Sequence, residues 1–534
     1  MSASSKKKLR NAQQAEKMTE KQLTEQKEAK KLKLYTTLAV VILAALVLFA
    51  AYIGISKTIT NSGIRERNTV ALTIGEEKIS NAELNYFFID AVNTFYSQYG
   101  SYAYLLGLDT TTPLDEQIIN EETKETWADD FINTAVANAK AVYALVDDAK
   151  ANGYTLPEAD KASIETEMST LALYATLYGY PDAESYMKAI YGNGTTEKTL
   201  REYREMLALA ASYQEHFTST RNYTEDELRA AEAENFNKYS SYNYDYYYMS
   251  VNSFAESTES KEQMDVALMK AEDAAKSLTE NITTVEELDA AIAALSINEG
   301  KEAGSYASRD ISYSNLISTC ADWISDSSRK NGDITYLPSV STSTDENGNP
   351  VETISGFYVV RFDSCNDNTF ALANVRHILV EFEGGSYDST TGVTTYNDEE
   401  KAAAKAAAEE IYNEWKNGAA TEDSFAALAN EKSDDGDGTT GGLFTDVYPG
   451  RTVDAFEEWC FGGHKAGDTG IIETEYGYHV MFYSGDSETT YRDYLITSDL
   501  TTNDYNAWYT ALVEAVTATV QNTKFLNTGL VLGG

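Results

Sequence analysis

Two short apolar segments, each carrying one histidine, constrain the fold of this chain more than any other feature. The first reads Asn374-Val-Arg-His-Ile-Leu-Val380, and the second reads Thr474-Glu-Tyr-Gly-Tyr-His-Val-Met-Phe482. Their β-branched and aromatic residues predict two strands. The chain has only four histidines in 534 residues, and two of them, His377 and His479, lie here. We expect the two strands to be neighbours in one sheet.

Five further segments follow in order between the strands. They are a predicted alanine-rich helix over 399–417, Phe425-Ala-Ala-Leu-Ala-Asn430, Ser433-Asp-Asp435, Gly441-Gly-Leu-Phe444 and Val453-Asp-Ala-Phe-Glu-Glu-Trp-Cys-Phe461. The ordered set resembles the parvulin family of peptidyl-prolyl isomerases, which shares the R-H-I-L-V, S-D, G-G, F-E-x-x-x-F, G-D and G-Y-H motifs. The resemblance implies an α+β isomerase domain over 370–486, with a four-stranded antiparallel sheet and surrounding helices.

The resemblance also implies the catalytic residues. His377 and His479 would form a facing, hydrogen-bonded pair at the floor of the site, each fixing the tautomer of the other. Asp435 falls at the position that faces the substrate carbonyl, and Thr474 falls at the hydroxyl that hydrogen-bonds to the histidines. The alternatives are that the histidines only satisfy each other in a core, and that Asp435 belongs to a solvated acidic turn.

Three positions correspond to the substrate-binding pocket of the family. Phe456 matches the phenylalanine that contacts the proline ring. Phe444 stands where leucine is usual and Thr452 where methionine is usual, which implies a narrower and more polar pocket. The loop 381–397 stands where phosphate-selecting parvulins carry basic residues, but it is rich in Glu, Asp, Gly, Ser and Thr. We therefore expect no acidic preference at the residue before the proline.

The proposed reaction needs neither a metal nor a cofactor. The barrier to rotation about an X–Pro bond is about 18–20 kcal/mol because twisting breaks amide resonance, and a catalyst has only to favour the twisted amide. Residue type alone would allow a metal on the two histidines and Asp435, but the use of these residues in the family argues against it. A thiol nucleophile at Cys460 lacks an evident base.

The N-terminal part predicts a membrane anchor. Residues 1–33 contain ten Lys or Arg against four Asp or Glu, and 34–56 carry no charge. At about 1.5 Å per residue, the apolar segment is long enough for a bilayer core of about 30 Å. The basic flank places the N-terminus in the cytoplasm and the rest outside it, as a single-pass protein. A cleaved signal peptide is the alternative; a polar linker, 57–68, follows.

Helical periodicity over 69–240 predicts a mostly α-helical domain. Its opening strand, followed by Gly75-Glu-Glu-Lys-Ile-Ser80 and several helices, resembles envelope chaperone-isomerases of the PrsA/SurA type. It has two apolar stripes, which are expected to be core, with a cradle for unfolded chain as the alternative. The stripes are Leu171, Tyr174, Leu177 and Tyr203, Met206, Leu209, Tyr213. By the same resemblance, the C-terminal helix within 487–534 would pack back on this domain.

An internal repeat suggests a second, degenerate parvulin-like domain over 241–366. Tyr246-Tyr-Tyr-Met-Ser-Val251 parallels Val375-Arg-His-Ile-Leu-Val380, and Gly356-Phe-Tyr-Val-Val360 parallels Gly477-Tyr-His-Val-Met481. In this alignment Tyr248 and Tyr358 replace the two histidines. The first copy would keep the fold and lack the site.

The net charge is −42, which argues against nucleic acid as a partner. Three cysteines cannot form a disulfide framework, and we expect free thiols buried as small hydrophobic residues. The resemblance, together with the predicted anchor, implies a membrane-anchored, extracytoplasmic foldase acting on unfolded, newly translocated polypeptides. A non-catalytic holdase, in which both copies only bind, and a surface scaffold rich in tyrosine are the alternatives. The clients and the oligomeric state are not encoded in a readable way.

Overall fold

The computed structural model describes residues 3–11, 43, 45–49, 53, 57, 59–256, 260–344, 348–436 and 438–532. Most of the expected membrane segment, 34–56, lies outside these residues. Within the described ranges, no helix combines the length and the apolar character needed to cross a bilayer. The chain divides into two compact units, Met1–Arg221 with Asp504–Gly534, and Asn222–Asn503.

The N-terminal part of the first unit is mostly helical, as expected. Ser80, Thr126 and Thr196 each begin a helix with a capping box, in which their hydroxyls accept from backbone N–H groups left free by the first turn. The elements are α1 (Ile64–Asn68), β1 (Val70–Ile74), β2 (Glu77–Ser80), α2 (Asn81–Tyr99), β3 (Ile118–Asn120), β4 (Glu125–Thr126), α3 (Trp127–Ala151), α4 (Glu158–Leu177), α5 (Ala183–Tyr191) and α6 (Glu197–Ser219).

The two apolar stripes of this unit have different environments. On α6, Tyr203 and Tyr213 are buried and belong to its core. On α4, Leu171 is buried, but Tyr174 is 42% and Leu177 is 70% exposed. The expectation that the α4 stripe is core throughout is therefore wrong at its C-terminal end, where Ala175 is buried instead.

The second unit begins with a four-stranded antiparallel sheet in the order β6-β5-β8-β7. One face is covered by α8 and α9, and α10 packs on the other. The elements are α7 (Glu225–Glu234), β5 (Ser241–Ser250), α8 (Lys261–Ser277), α9 (Val285–Ala293), β6 (Tyr306–Ser312), α10 (Ala321–Ile324), β7 (Ile334–Thr344) and β8 (Pro350–Asn366).

A second antiparallel sheet of four strands follows in the order β12-β9-β14-β13, which repeats the order of the first. Helices α11 and α12 cover one face and α13 the other. The elements are β9 (Ala371–Glu381), the hairpin β10 (Ser386–Asp388) and β11 (Val393–Thr395), α11 (Asp398–Asn417), α12 (Glu422–Lys432), β12 (Leu443–Val447), α13 (Asp454–Cys460), β13 (Thr469–Glu473) and β14 (Gly477–Thr490).

In both sheets a turn that contains a glycine is hydrogen-bonded in the same way to the last strand, β8 or β14. Gly332 N donates to Phe362 O at 2.9 Å, and Gly467 N donates to Tyr483 O at 2.8 Å. The N–H of each acceptor residue returns a bond of 2.8 Å to the residue after the glycine. Because the pattern agrees bond for bond, Phe362 and Tyr483 can be treated as equivalent positions.

This equivalence corrects one residue of the sequence alignment. Tyr358 and His479 each lie four residues before the equivalent pair, so Tyr358 replaces His479 as expected. His377 lies two residues before the β9 residue that pairs with His479, whereas Tyr248 itself pairs with Tyr358. The position of His377 is therefore taken by Tyr246, and the assignment to Tyr248 is wrong. A shift of two residues keeps every side chain on the same face, so hydrophobic alternation cannot detect it.

A buried arginine joins several segments of the second unit. Arg492, in the first turn of α14 (Tyr491–Glu514), has a 1% exposed side chain and pairs with Glu232 at 2.5 Å. Its guanidinium donates to the carbonyl oxygens of Phe236, Tyr239 and Asp367 at 2.7, 3.3 and 2.8 Å. It also lies over the Phe236 ring, 3.8 Å from the centroid. Every one of these groups would lose a partner without the arginine.

The C-terminal residues complete the first unit. Trp508 stacks on Phe217 with ring centroids 4.1 Å apart, and β15 (Ala518–Val520) pairs antiparallel with β1 to give the sheet order β15-β1-β2. Asn81 Nδ2 donates to Asn522 O, 441 residues further along the chain. A strand at this place was not expected from the sequence.

All three cysteines are free thiols. Cys320 and Cys460 are buried, as expected, and burial raises the pKa of each thiol to about 12. Cys365 is exposed, so the expectation of a buried thiol is wrong there. It lies near the end of β8, where Ser364, Cys365 and Asn366 are all exposed.

Candidate active site

The two strand histidines meet in the centre of the second sheet. His377 lies on β9 and His479 on the adjacent β14, diagonally across the antiparallel pair and on the same face. Their Nδ1 atoms are 3.0 Å apart, and the rings are stacked with centroids 5.2 Å apart. The residues are only 3% and 5% exposed. The facing pair expected from the sequence is therefore present.

Polar groups extend this pair at both ends. His377 Nε2 is 3.2 Å from the Asp435 carboxylate, whose side chain is 46% exposed. At the other end, Thr474 Oγ1 is 3.0 Å from His479 Nε2. The result is one line of hydrogen-bonding groups from solvent into the core, in the order Asp435, His377, His479, Thr474.

The pKa values of both histidines are low. Burial, with a smaller effect from the neighbouring His377, lowers the pKa of His479 from its ordinary 6.5 to about 3. Burial also lowers the pKa of His377, although the charge of Asp435 opposes this. Both imidazoles are therefore neutral at physiological pH.

Neutral rings fix the direction of the hydrogen bonds. A carboxylate can only accept, so His377 Nε2 carries a proton and donates to Asp435. His377 Nδ1 is then an acceptor, and His479 Nδ1 donates to it. His479 Nε2 has to accept, and the Thr474 hydroxyl donates. This single arrangement satisfies every ring nitrogen and directs all donors toward the carboxylate.

A pH prediction follows from the buried pair. We expect the imidazole NMR signals of His377 and His479 to remain those of neutral rings well below pH 6.5. The unfolded chain takes up protons near pH 6.5 and the folded chain does not, so stability falls as the pH drops from 6.5 toward the folded pKa. The slope is up to about 1.4 kcal/mol per pH unit for each histidine.

The control is His479→Gln, which removes one of the two contributions. Urea unfolding of this variant, at neutral and at mildly acidic pH, should show a smaller acid-induced loss than wild type. Histidine signals that titrate near pH 6.5 in the folded protein would contradict the prediction.

Two phenylalanine rings stand edge-on to the histidines. The centroids of Phe444 and Phe456 are 5.0 and 5.3 Å from that of His377, at 88° and 85°, and 6.0 Å from each other. Phe456 is 3% exposed, whereas Phe444 is half-buried. They form an apolar wall beside the polar line, of the kind that a proline ring can contact.

Thr452 is the one expected site residue that no described hydrogen bond or ring contact joins to the others. It lies four residues before Phe456, in the segment leading into α13. Its hydroxyl oxygen is buried and has no hydrogen-bond partner among the described residues. Such a group is unfavourable, so a more polar pocket at this position carries an energetic cost.

The turns around the site hold the acid and the histidine in place. Asp434 N donates to Leu379 O at 2.9 Å, and Leu379 N donates to Ser433 Oγ at 3.1 Å. These bonds attach the Ser-Asp-Asp turn to β9 at Leu379, two residues after His377. His377 N itself donates to Gly442 O at 2.9 Å. The S-D and G-G motifs therefore add hydrogen bonds to the histidine strand beyond its pairing with β14.

The second of these glycines allows no side chain. Gly442 has φ +65°, and a Cβ there would lie 2.1 Å from His377 O. Positive φ is readily adopted only by glycine, and the close approach brings β12 next to β9.

One residue near the site, Arg451, was missed by sequence analysis, because only the structure shows which ring its guanidinium covers.

Residues 357–483 match the family model described as the PPIC-type PPIASE domain. The match begins within β8, before the expected boundary at 370. Solved structures similar to this chain include a peptidylprolyl isomerase, PrsA, from Bacillus cereus, at 21% identity, TM-score 0.17, over 28% of this chain and 50% of that one. The chain thus spans half the length of that protein.

Two further similar structures cover more of this chain. PrsA from Bacillus subtilis has 13% identity and TM-score 0.26, over 75% of this chain and 91% of that one. A SurA-like chaperone structure from Campylobacter jejuni has 19% identity and TM-score 0.15, over 40% and 71%. No curated protein matches the chain. The family match thus shows a PPIC-type PPIase domain over residues 357–483, and the two paired histidines lie within it.

Proposed function

We propose that this chain is a foldase that catalyses cis–trans isomerisation of X–Pro bonds in unfolded polypeptides. The observation that carries the proposal is the line of hydrogen bonds from Asp435 through His377 and His479, placed beside the Phe444 and Phe456 rings. It offers an apolar contact for proline and a half-exposed carboxylate beside it. No nucleophile is needed, because no covalent bond is broken in this reaction.

The carboxylate would act on the charge of the carbonyl oxygen before the proline. Amide resonance places negative charge on that oxygen in the planar state, and twisting the bond removes part of it. The negative charge of Asp435 therefore repels the planar amide more than the twisted one. An interaction that favours the transition state over the ground state raises the rate.

The histidines would be positioning residues. Neither is accessible to a substrate to any large extent, since both are at least 95% buried. The proton on His377 Nε2 holds the Asp435 carboxylate in one orientation, and the bonds to His479 and Thr474 keep that proton on Nε2. The network thereby fixes the charge in the geometry that the reaction needs.

The proposed place of action is the outer side of a membrane. The uncharged segment 34–56 would anchor the chain, with the basic residues 1–33 in the cytoplasm. Exposed apolar side chains on the first unit suit contact with unfolded polypeptide. Tyr102, Tyr104 and Leu105, for example, are 69%, 68% and 66% exposed on one short segment. We propose newly translocated polypeptides as the clients.

The test is prolyl exchange on a neutral Ala-Pro peptide, measured by NMR with the full chain. We expect acceleration by wild type, and a kcat/KM at least about tenfold lower for Asp435→Ala, since removing one preorganised electrostatic contact in an active site typically costs this much or more. The matched control is Asp434→Ala, which removes the same charge from the same turn. The Asp434 carboxylate accepts from Glu381 N, at 2.9 Å, rather than facing the histidines.

Equal losses for both aspartate variants would remove the site assignment. No acceleration by folded wild type would remove the enzyme proposal and favour a holdase.

One observation favours binding without catalysis in the first sheet: the tyrosines at and near the histidine positions form a continuous aromatic cluster. Ring centroids 4.8–6.2 Å apart join Tyr244, Tyr246, Tyr248, Tyr306 and Tyr358. Suppression of client aggregation would then be measured.

A further inference from the structure

Arg451 holds a positive charge at the edge of the candidate pocket. Its guanidinium carbon lies 5.5 Å from the centroid of the Phe444 ring and 5.8 Å from that of Tyr448. Its Nη1 donates to the carbonyl oxygens of Thr445 and Asp446. These contacts fix the side chain in one place, although the residue is exposed. A guanidinium held in this way is oriented before any ligand arrives.

The charge of Arg451 is not neutralised within the described part of the chain. No described carboxylate lies within 4.0 Å of its guanidinium, even though the net charge of the protein is −42. Its Nε and Nη2 make no hydrogen bond to a described residue, since both of its side-chain bonds are from Nη1. Two donor nitrogens are thus left for a carboxylate, which guanidinium groups bind well.

The pocket therefore has charges of opposite sign on two sides. Asp435 contacts His377 at 3.2 Å, the His377 ring meets Phe444 edge-on at 5.0 Å, and Arg451 lies against Phe444. The order across the site is negative carboxylate, histidine, phenylalanine, positive guanidinium. A peptide that crosses this pocket meets a different charge on each side of its proline.

We propose that Arg451 selects substrates with a carboxylate side chain directly after the proline. The inference rests on the proposed isomerase function and names its substrate class. With the carbonyl before the proline facing Asp435 and the proline ring against Phe444, the following residue leaves the pocket on the side of Arg451. An acidic residue before the proline would instead meet Asp435 and be disfavoured.

The experiment compares four blocked peptides with the full chain by NMR exchange: Ala-Pro-Glu, Ala-Pro-Gln, Glu-Pro-Ala and Gln-Pro-Ala. We expect the ratio of kcat/KM for Pro-Glu over Pro-Gln to be about two to five in wild type, the range of an exposed ion pair. The ratio for Glu-Pro over Gln-Pro should be one or less. High salt should bring the Pro-Glu ratio toward one, because exposed charges are screened.

Two variants and one control test the residue itself. Arg451→Gln should bring the Pro-Glu to Pro-Gln ratio to about one, and Arg451→Glu should reverse it. Lys405→Gln loses the same charge from helix α11, which packs on the opposite face of the sheet, and should keep the wild-type ratio. Measuring ratios on each variant cancels any general loss of activity.

An unchanged ratio in Arg451→Gln would overturn the inference and leave the isomerase function standing. If folded wild type accelerated no peptide, the isomerase function would be rejected. The dissociation constants of the same four peptides would then test whether Arg451 binds a carboxylate after the proline. Tighter binding of Ala-Pro-Glu that is lost in Arg451→Gln supports the assignment in that case, and equal binding overturns it.

Discussion

Replacing Arg492 by methionine is expected to lower the free energy of unfolding of the second unit by about 3–5 kcal/mol, the effect of removing one partner of a buried ion pair. Methionine fills much of the volume, but it removes one donor from each of three carbonyl oxygens and from the Glu232 carboxylate, which keeps its bond from Arg229. Urea unfolding followed by circular dichroism measures the change.

The control for this prediction is Lys238→Met in the same unit. Lys238 pairs with Asp499 at 2.6 Å, but its side chain is 43% exposed, so its loss should cost about 1 kcal/mol or less. A similar small loss for Arg492→Met would mean that the unpaired groups are satisfied by water, and that the buried arginine does not hold the segments together.

The second large effect is expected for Gly442→Ala. A methyl group 2.1 Å from His377 O forces β12 away from β9 and breaks the bond from His377 N to Gly442 O. Left-handed strain of about 1–2 kcal/mol and the lost bond of about 0.5–1.5 kcal/mol together predict a loss of about 1.5–3.5 kcal/mol. The NMR signals of His377 and isomerase activity should change with it.

Gly450→Ala is the control that separates backbone strain from a steric clash of the new methyl group. Gly450 also has positive φ, +84°, but nothing lies within 4 Å of a Cβ built there. We expect only the strain, about 1–2 kcal/mol, and unchanged histidine signals. Equal effects of the two substitutions on the His377 signals would show that the contact of Gly442 with β9 does not position the histidine.

The sequence predicted which side chains come together at the candidate site, because each of them belongs to a short motif of the family resemblance. His377 and Asp435 belong to motifs whose spacing is set by turns, and the structure brings them within 3.2 Å. Phe444 and Phe456 follow from the same ordered motifs. Thr474 is found three residues before the strand that carries His479, and its hydroxyl reaches that ring. The side chains that meet are far apart in the sequence, 102 residues for the two histidines, so the order of the family motifs, and not local propensity, predicted these contacts.

The features that were missed depend on tertiary contacts. Assigning Tyr246 rather than Tyr248 to the histidine position required the pairing of β5 with β8, since both residues point to one face. The exposure of Leu177, beside the buried Ala175, depends on which face of α4 the neighbouring helix covers. The role of Arg451 depends on the ring over which it lies. Propensity and periodicity carry no information about such contacts.

The pairing of β1 with β15 has a consequence for the order in which the protein is made. Synthesis delivers the chain from the N-terminus, so β1 and β2 emerge long before β15. The second unit, Asn222–Asn503, is complete before residues 518–520 exist outside the ribosome. Until then the sheet β15-β1-β2 lacks β15, and the edge of β1 is unpaired. An open strand edge can pair with other chains. The first unit of a protein that we propose to assist folding is therefore itself incomplete until the end of synthesis.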